Sequence, residues 1–269
     1  MKHRRRKKRS FLKEYPILSA MACGFFALLL ILLLLPSEER EGHMPNKAYL
    51  PLPNRYVQEN FYMDGSFLRY ADREHMVGID VSEHQGEIDW AAVAASGVEF
   101  AMLRLGYRGS TLGDLYMDEH FHANLQGAKD NGLAVGIYFF SQAKNEAEAR
   151  EEAEFVLTSL EGQTLELPIF YDWEFIGGRI ESENAIPMTQ CAEAFCQAVL
   201  SRGYEAGVYF NQTYGNHYLD LFALRNYTLW LAEYDITPDF PHHFDCLQYT
   251  DSGTIDGIEG TVDLDIYFP

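Results

Sequence analysis

The chain has 269 residues, of which 47% are hydrophobic and 14% aromatic, enough apolar material to bury a sizeable core. Its formal charge is −19, yet eight of its 21 basic residues lie between Lys2 and Lys13. Residues 36–269 therefore hold 13 basic and 39 acidic side chains, a formal charge of −26. Such a surface repels phosphates, so the composition argues against nucleic acid as a partner.

An uncharged apolar segment of nineteen residues, 17–35, follows the basic N-terminus. Its length matches the roughly 20 residues that a membrane-spanning helix needs, and it exceeds the apolar core of about 7 to 15 residues in a cleavable signal peptide. The sequence therefore predicts a basic cytoplasmic N-terminus at 1–16 and a transmembrane helix at 17–35. Because basic residues stay on the cytoplasmic side, we expect a single-pass protein of the cell membrane with an extracytoplasmic C-terminal domain.

Residues 36–76 are polar and show no sustained helical or strand period. They include Pro45, Pro51 and Pro53. This composition is typical of a linker, here with a short helix around residues 56–70.

From residue 77 onward, short apolar runs alternate with amphipathic runs, which is typical of an α/β fold. The runs predict eight strands, at 77–82, 100–107, 134–141, 167–174, 206–211, 228–234, 245–249 and 262–267. They predict five helices, at 89–96, 117–131, 145–160, 189–202 and 213–223. This content favours a closed, irregular (β/α) TIM-like barrel over residues 77–269. The competing fold is an open doubly wound sheet, but no glycine-rich phosphate loop follows the first strand.

Polar side chains interrupt the apolar strands near their carboxyl ends, where barrel enzymes place their active sites. Among them, Asp172 and Glu174 give the strongest signal, because residues two apart on a strand project from the same face. Their mutual repulsion and partial burial should raise one pKa and keep a proton available for donation to a glycosidic oxygen. A salt-bridged strand end is the alternative, but the Tyr-Asp-Trp-Glu string at 171–174 has no Lys or Arg nearby.

Three further aspartates are candidates for the same pocket. Asp80 interrupts the first strand, where it could also simply cap the following turn. Asp263 and Asp265 share a face of the last strand by their spacing, and we expect only one of them to line the pocket.

Histidines and cysteines give no signal for a metal site, and none is predicted. His120 and His122 lie in a helical run, where their spacing separates the side chains, and the adjacent His242 and His243 lack further ligands. The cysteines beyond the apolar segment fit buried small hydrophobes better than disulfide partners. They are Cys191, Cys196 and Cys246.

Aromatic residues near the predicted strand ends could line a groove, because the apolar faces of sugar rings stack on aromatic planes. Most aromatic side chains belong to the core on general grounds. The predicted binding residues are Tyr107, Tyr138, Tyr209 and Trp230, together with Gln248 at the end of the seventh strand.

Several motifs, in order along the chain, resemble those of the glycoside hydrolase family 25 lysozymes, the muramidases of phage and bacterial type. The opening motif is GIDVS at 78–82, followed by HQG at 84–86 and IDW at 88–90. FYDWE at 170–174 is similar to the catalytic strand of the family. WLAEY at 230–234, QY at 248–249 and GTVDLD at 260–265 resemble its closing motifs. The resemblance covers residues 77–268.

This resemblance implies hydrolysis of the β-1,4 bond between N-acetylmuramic acid and N-acetylglucosamine in peptidoglycan, without a metal or organic cofactor. By motif position, Glu174 would donate the proton, and Asp172 would orient the acetamido group of the substrate or stabilise positive charge. Asp80 and Asp263 would position water, substrate or the neighbouring carboxylates. The family usually has Asn at the position of Asp265. Either the acetamido oxygen of the substrate or a water molecule would attack the anomeric carbon.

Two other hypotheses compete with this one. The chain could be a non-enzymatic, catalytically silent, membrane-tethered module that binds peptidoglycan glycan strands through the same groove. It could also be a component of a division or sporulation complex in which enzyme activity is incidental and the anchor recruits partners. The four acidic residues Asp80, Asp172, Glu174 and Asp263 favour the enzyme.

Overall fold

The structure is a computed structural model that describes residues 50–269. The predicted cytoplasmic N-terminus and the predicted transmembrane helix at 17–35 lie outside the described residues. Within residues 50–269, no helix has both the length and the apolar character needed to cross a membrane.

Eleven strands and five α-helices make up the described part of the chain. The strands are β1 (Phe61–Asp64), β2 (Phe67–Tyr70), β3 (Met76–Val81), β4 (Phe100–Arg108), β5 (Leu115–Met117), β6 (Ala134–Ser141), β7 (Ile169–Trp173), β8 (Ala206–Asn211), β9 (Thr228–Ala232), β10 (Cys246–Gly253) and β11 (Val262–Tyr267). The helices are α1 (Trp90–Ala95), α2 (Phe121–Asp130), α3 (Glu146–Ser159), α4 (Met188–Ser201) and α5 (Gln212–His217).

Eight of these strands close into a barrel in the order β3-β4-β6-β7-β8-β9-β10-β11, because β11 also pairs with β3. The predicted α/β barrel with eight strands and about five helices is therefore confirmed. The other seven barrel strands run parallel to one another, whereas β11 is antiparallel to both of its neighbours. As a result, the beginning of β11 lies at the end of the barrel where the other strands finish.

Several predicted element boundaries differ from the structure; strand β9, for example, ends at Ala232 rather than at the predicted residue 234. The predicted helix at 117–131 begins only at Phe121, because residues 115–117 form β5, which pairs with the end of β4. The predicted helix at 213–223 ends at His217, and turns follow it. Strand β7 ends at Trp173, so Glu174 lies directly after the strand. Strand β10 continues to Gly253, beyond the predicted end at 249.

Residues 51–76 also differ from the predicted linker and its short helix, because β1 and β2 form a hairpin that belongs to the same compact unit as the barrel. A two-residue turn, Gly65-Ser66, joins the strands, and Gly65 has a positive φ of 63°. Phe61 and Tyr70 are buried and pack edge-to-face against each other and against Phe268. This burial of aromatic surface holds the hairpin in place.

The barrel has two apolar layers that follow the alternation of its strands. Ala101, Leu103 and Leu105 of β4 point outward to the layer that contains buried residues of the helices. Phe100 and Met102, on the other face, pack inside the barrel with Phe170, Trp230 and Tyr267. This inner layer fills the lower part of the barrel, so the polar residues that follow it along the strands lie above a solid apolar base.

Candidate active site

A cavity of about 250 Å³ opens at the carboxyl ends of the parallel strands. Its lining includes eight of the nine predicted site residues: Asp80, Tyr138, Asp172, Glu174, Tyr209, Trp230, Gln248 and Asp263. The ninth, Tyr107, does not line this cavity. Its ring stacks on Tyr116 with a centroid distance of 5.3 Å. Predicted carboxylates from β3, β7 and β11 thus come together in one pocket, which we call the active-site pocket.

Asp172 and the half-buried Glu174 occupy the β7 side of this pocket. Oδ1 of Asp172 is buried and has no hydrogen-bond partner among the described residues. Burial, followed by the charge of Glu174, raises the pKa of Asp172 well above its usual range. Burial also raises the pKa of Glu174, although the nearby Tyr209 hydroxyl partly opposes this. Both shifts favour the protonated form, so this pair holds a proton to higher pH than two isolated carboxyls do.

Asp80 and Asp263 face each other across the antiparallel β3–β11 pair, and Gln248 bridges them. Nε2 of Gln248 donates to Oδ2 of Asp80 at 2.7 Å and to Oδ2 of Asp263 at 3.3 Å. The hydroxyls of Tyr209 and Tyr234 both donate to Oε1 of Gln248, at 3.0 and 3.2 Å. Because Oε1 accepts from both tyrosines, the amide nitrogen must point toward the carboxylates.

Asp265 lies one layer below Asp263 and does not line the active-site pocket, so only one of the two aspartates lines it, as expected from the sequence. Its side chain is fully buried, and its Oδ1 accepts a hydrogen bond from Nε1 of Trp230 at 2.9 Å. Burial and the nearby Asp263 charge raise the pKa of Asp265 well above its usual range. Burial followed by the charges of Asp265 and Asp263 has the same effect on the pKa of Asp80. A proton shared by Asp80 and Asp265 would relieve this repulsion.

Arg104 is a pocket residue that the sequence reasoning missed. It follows Phe100 and Met102 on the inner face of β4, so its guanidinium rises from the apolar base into the pocket. Nε of Arg104 donates to Oδ2 of the buried Asp118 at 2.8 Å, and Nη2 lies 3.0 Å from Glu83. These two partners offset its charge, and only a part of it acts on the pKa of Asp172. The sequence signal that could have identified it is an arginine in the apolar interior of a predicted strand.

The aromatic residues of the pocket divide into a base and a rim. Trp230 is almost fully buried and packs edge-to-face against Phe170, Tyr138 and Tyr209, so it forms the base rather than an open stacking surface. Tyr234 is 57% exposed and stands at the rim. Tyr234 is not among the predicted binding residues.

The segment after β6 holds the backbone of Glu174 in position. Nε2 of the buried Gln142 donates to the carbonyl oxygen of Glu174 at 2.6 Å and to that of Ser141 at 2.7 Å. The Ser141 hydroxyl donates to Glu152 at 2.6 Å, and Glu152 accepts from Arg108 at 2.7 Å. The buried ion pair of Arg108 and Glu152 therefore holds Ser141, and the neighbouring Gln142 holds the backbone of Glu174.

No group of three His, Cys, Asp or Glu side chains within residues 50–269 is arranged to hold a metal ion. His243 instead bonds to Asp245 at 2.8 Å. All three cysteines of this part of the chain are buried, which confirms their predicted role as small core residues.

A closed β/α barrel with acidic side chains at the carboxyl ends of its strands is the arrangement found in barrel enzymes. The chain belongs to the glycosyl hydrolases family 25, whose family model matches residues 79–258. The autolytic lysozyme of Clostridium acetobutylicum is 31% identical to it over 193 residues, which cover 71% of this chain and 55% of that protein. The chain thus spans little more than half the length of this relative.

Solved structures of other proteins share the fold. A family 25 glycosyl hydrolase from Bacillus anthracis superposes with a TM-score of 0.59 at 21% identity, covering 75% of this chain and 92% of that one. The modular autolysin LytC of Streptococcus pneumoniae, solved in complex with a synthetic peptidoglycan ligand, superposes with a TM-score of 0.60 at 24% identity. That match covers 72% of this chain and 47% of LytC.

Proposed function

We propose that this protein is a peptidoglycan muramidase that hydrolyses the β-1,4 bond between N-acetylmuramic acid and N-acetylglucosamine, with Glu174 as the general acid. The observation that carries the proposal is the Asp172–Glu174 pair, in which burial raises both pKa values at the open side of the pocket. A glycosidase needs such a carboxyl that is still protonated near neutral pH. The name of the Clostridium relative, an autolytic lysozyme, supports the same substrate class.

In the proposed reaction, Glu174 gives its proton to the glycosidic oxygen as the bond from that oxygen to the anomeric carbon breaks. Positive charge develops on the sugar ring, and Asp172 stabilises it directly or through the acetamido group of the substrate. Water then adds its hydroxyl to the anomeric carbon, and its proton returns to a carboxylate. In this proposal Asp80 and Asp263, which both accept from Gln248, orient the water or the sugar.

We extend the proposal to location: residues 17–35 anchor the protein in the cell membrane, and the barrel acts on the cell-wall side. Its support is the uncharged segment of nineteen residues behind a basic N-terminus. Alkaline extraction of membranes should leave the protein in the pellet, and protease added to wall-stripped cells should digest the barrel. Release at alkaline pH, or protection of the barrel, would refute the anchor or its orientation.

The test of activity is incubation of the purified full-length protein with peptidoglycan, followed by mass spectrometry of the new reducing ends. Wild type should release muramic acid reducing ends, whereas Glu174→Gln should release none above background. Release of glucosamine reducing ends by wild type would overturn the proposed bond. Binding without cleavage by wild type would favour the tethered, catalytically silent module.

A further inference from the structure

A second cavity of about 560 Å³ adjoins the active-site pocket, and Tyr234 lines both. Its walls come from Met63 and Ser66 of the β1–β2 hairpin, from the loop at 234–236, and from the end of β10. We call it the hairpin cavity. The segment that matches the family model begins at residue 79, so the hairpin wall precedes the part of the chain that defines the family.

The hairpin wall is rigidly attached to the barrel. The Tyr249 hydroxyl donates to the carbonyl oxygen of Ser66 at 3.2 Å and accepts from the backbone N–H of Leu68 at 3.1 Å. Phe61, Phe67 and Leu68 are buried on the barrel side. The opposite wall is shaped by two register shifts in the β10–β11 ladder between residues 248 and 253. Such irregularities redirect side chains and are frequent beside active sites.

The lining of the hairpin cavity fits a saccharide. Met63, Tyr234 and Ile236 are 43%, 57% and 51% exposed, an unusual amount of apolar surface to leave beside a polar pocket. Hydroxyl groups alternate with them, from Ser66, Thr250, Ser252 and Thr254. Sugar rings offer the same combination of apolar faces and hydroxyl groups.

The charge of the lining favours a saccharide over the peptide stem of peptidoglycan as the ligand of the hairpin cavity. Among the described residues that line the hairpin cavity, Asp235 is the single charged one. Its negative charge would repel the carboxylates of a peptide stem, and the lining offers no cation to pair with them. N-acetylglucosamine, the uncharged sugar of the strand, meets neither obstacle.

We infer that the hairpin cavity is a distal saccharide subsite, in which Met63 and Ile236 contact a sugar of the same glycan strand whose bond lies at Glu174. The inference rests on the proposed function. Tyr234 connects the two cavities, because its hydroxyl donates to Gln248 in the active-site pocket and its side chain also lines the hairpin cavity. Glycans long enough to reach past Tyr234 should therefore bind more tightly than short ones.

The experiment measures calorimetric binding of peptide-free glycans of four and eight sugars, with the lactyl carboxyl of each muramic acid amidated to remove its charge, to full-length Glu174→Gln, which does not cleave them. The eight-sugar glycan should bind about tenfold more tightly than the four-sugar glycan, a gain in keeping with the burial of one or two apolar side chains. Adding Met63→Ser and Ile236→Ser should abolish that gain and leave the four-sugar affinity unchanged. The unchanged affinity for the short glycan shows that the variant is folded.

Tyr62→Ser is the matched control, because Tyr62 is 50% exposed on the other face of the same strand. It should keep the full gain. Equal gains in the Met63/Ile236 variant and in the Tyr62 control would overturn the inference. So would a gain that appears only with stem-bearing glycans, which would make the occupant a peptide. If wild type cleaves peptidoglycan but length brings no gain, the inference alone fails; if no glycan binds or is cleaved, the proposed function fails with it.

Discussion

The two acidic groups of the active-site pocket are held in contrasting ways. On the β3–β11 side, Asp80 and Asp263 share the amide of Gln248, which is itself fixed by two tyrosine hydroxyls. On the β7 side, Glu174 meets the Tyr209 hydroxyl, and Oδ1 of Asp172 has no hydrogen-bond partner within residues 50–269. Carboxyls of one pocket are thus held by hydrogen bonds in one wall and are largely without them in the other, where burial favours the protonated form.

The largest expected effect comes from removing the exchangeable proton. Glu174→Gln keeps the size of the side chain but cannot donate a proton to the leaving oxygen, so kcat on peptidoglycan should fall by about 10²–10⁴-fold. The thermal unfolding midpoint should change little. Glu87→Gln, an exposed glutamate outside the pocket, is the control and should retain wild-type kcat. Retained activity in Glu174→Gln would assign the acid to another carboxyl.

Removing the hydrogen bonds that hold Asp80 and Asp263 should lower the free energy of unfolding. Gln248→Leu removes the donor to Asp80 and Asp263, and an unsatisfied buried acceptor costs about 1–3 kcal/mol. The lost donor stabilised the ionised form of Asp80, so the loss of unfolding free energy should be greater near pH 7 than near pH 4. Urea unfolding at both pH values measures it. An equal loss at both would show that Gln248 acts through packing alone.

A substitution at Asp265, below the pocket, should stabilise the protein. Burial raises its pKa, so its contribution to stability is fully present below the unfolded pKa near 4 and is lost as pH rises toward the folded pKa. Asp265→Asn removes this penalty and keeps an oxygen for Nε1 of Trp230. The unfolding midpoint should rise near pH 7, at roughly 2–4 °C per kcal/mol, and stay unchanged near pH 4. A lower midpoint near pH 7 would mean that the carboxylate is needed in its ionised form.

The smallest effect should come from the segment that positions Glu174. Gln142→Met removes the hydrogen bond to the carbonyl oxygen of Glu174, worth about 0.5–1.5 kcal/mol, so kcat should fall by at most about tenfold. KM should not change, because Gln142 does not line the pocket. Gln126→Met, which removes an exposed hydrogen bond to Asp130 at 2.7 Å, is the matched control. A rise in KM with constant kcat would instead indicate a role in substrate binding.

Most of the barrel could be predicted from the sequence, because apolar runs of strand length alternate with amphipathic runs over residues 77–269. The direction of β11 could not be read from its own residues. The connection from β10 to β11 nevertheless has only the residues 254–261, too few for a parallel crossover of a dozen or more. The sequence also held a signal for the hairpin at 61–70 that was not used, because two short apolar runs flank a Gly-Ser turn there.

The candidate site was predictable where a polar residue breaks an apolar strand, as at Asp80, Asp172 and Asp263. It was less predictable where contacts between distant segments decide the geometry. Tyr107 lies at the end of β4, yet the added strand β5 supplies Tyr116 as its neighbour outside the pocket. Tyr234 reaches the pocket because it bonds to Gln248, a partner from another strand that no local pattern shows.

The most direct test of the account is a titration of the side-chain carboxyls of the full-length protein by carbon-13 NMR, with Asp172→Asn for assignment of the coupled pair. We expect Glu174 and Asp172 to titrate in two steps, with the upper step well above the ordinary carboxyl pKa of about 4. If both carboxyls instead titrate near or below that value, the β7 side holds no exchangeable proton near neutral pH, and Glu174 is not the acid.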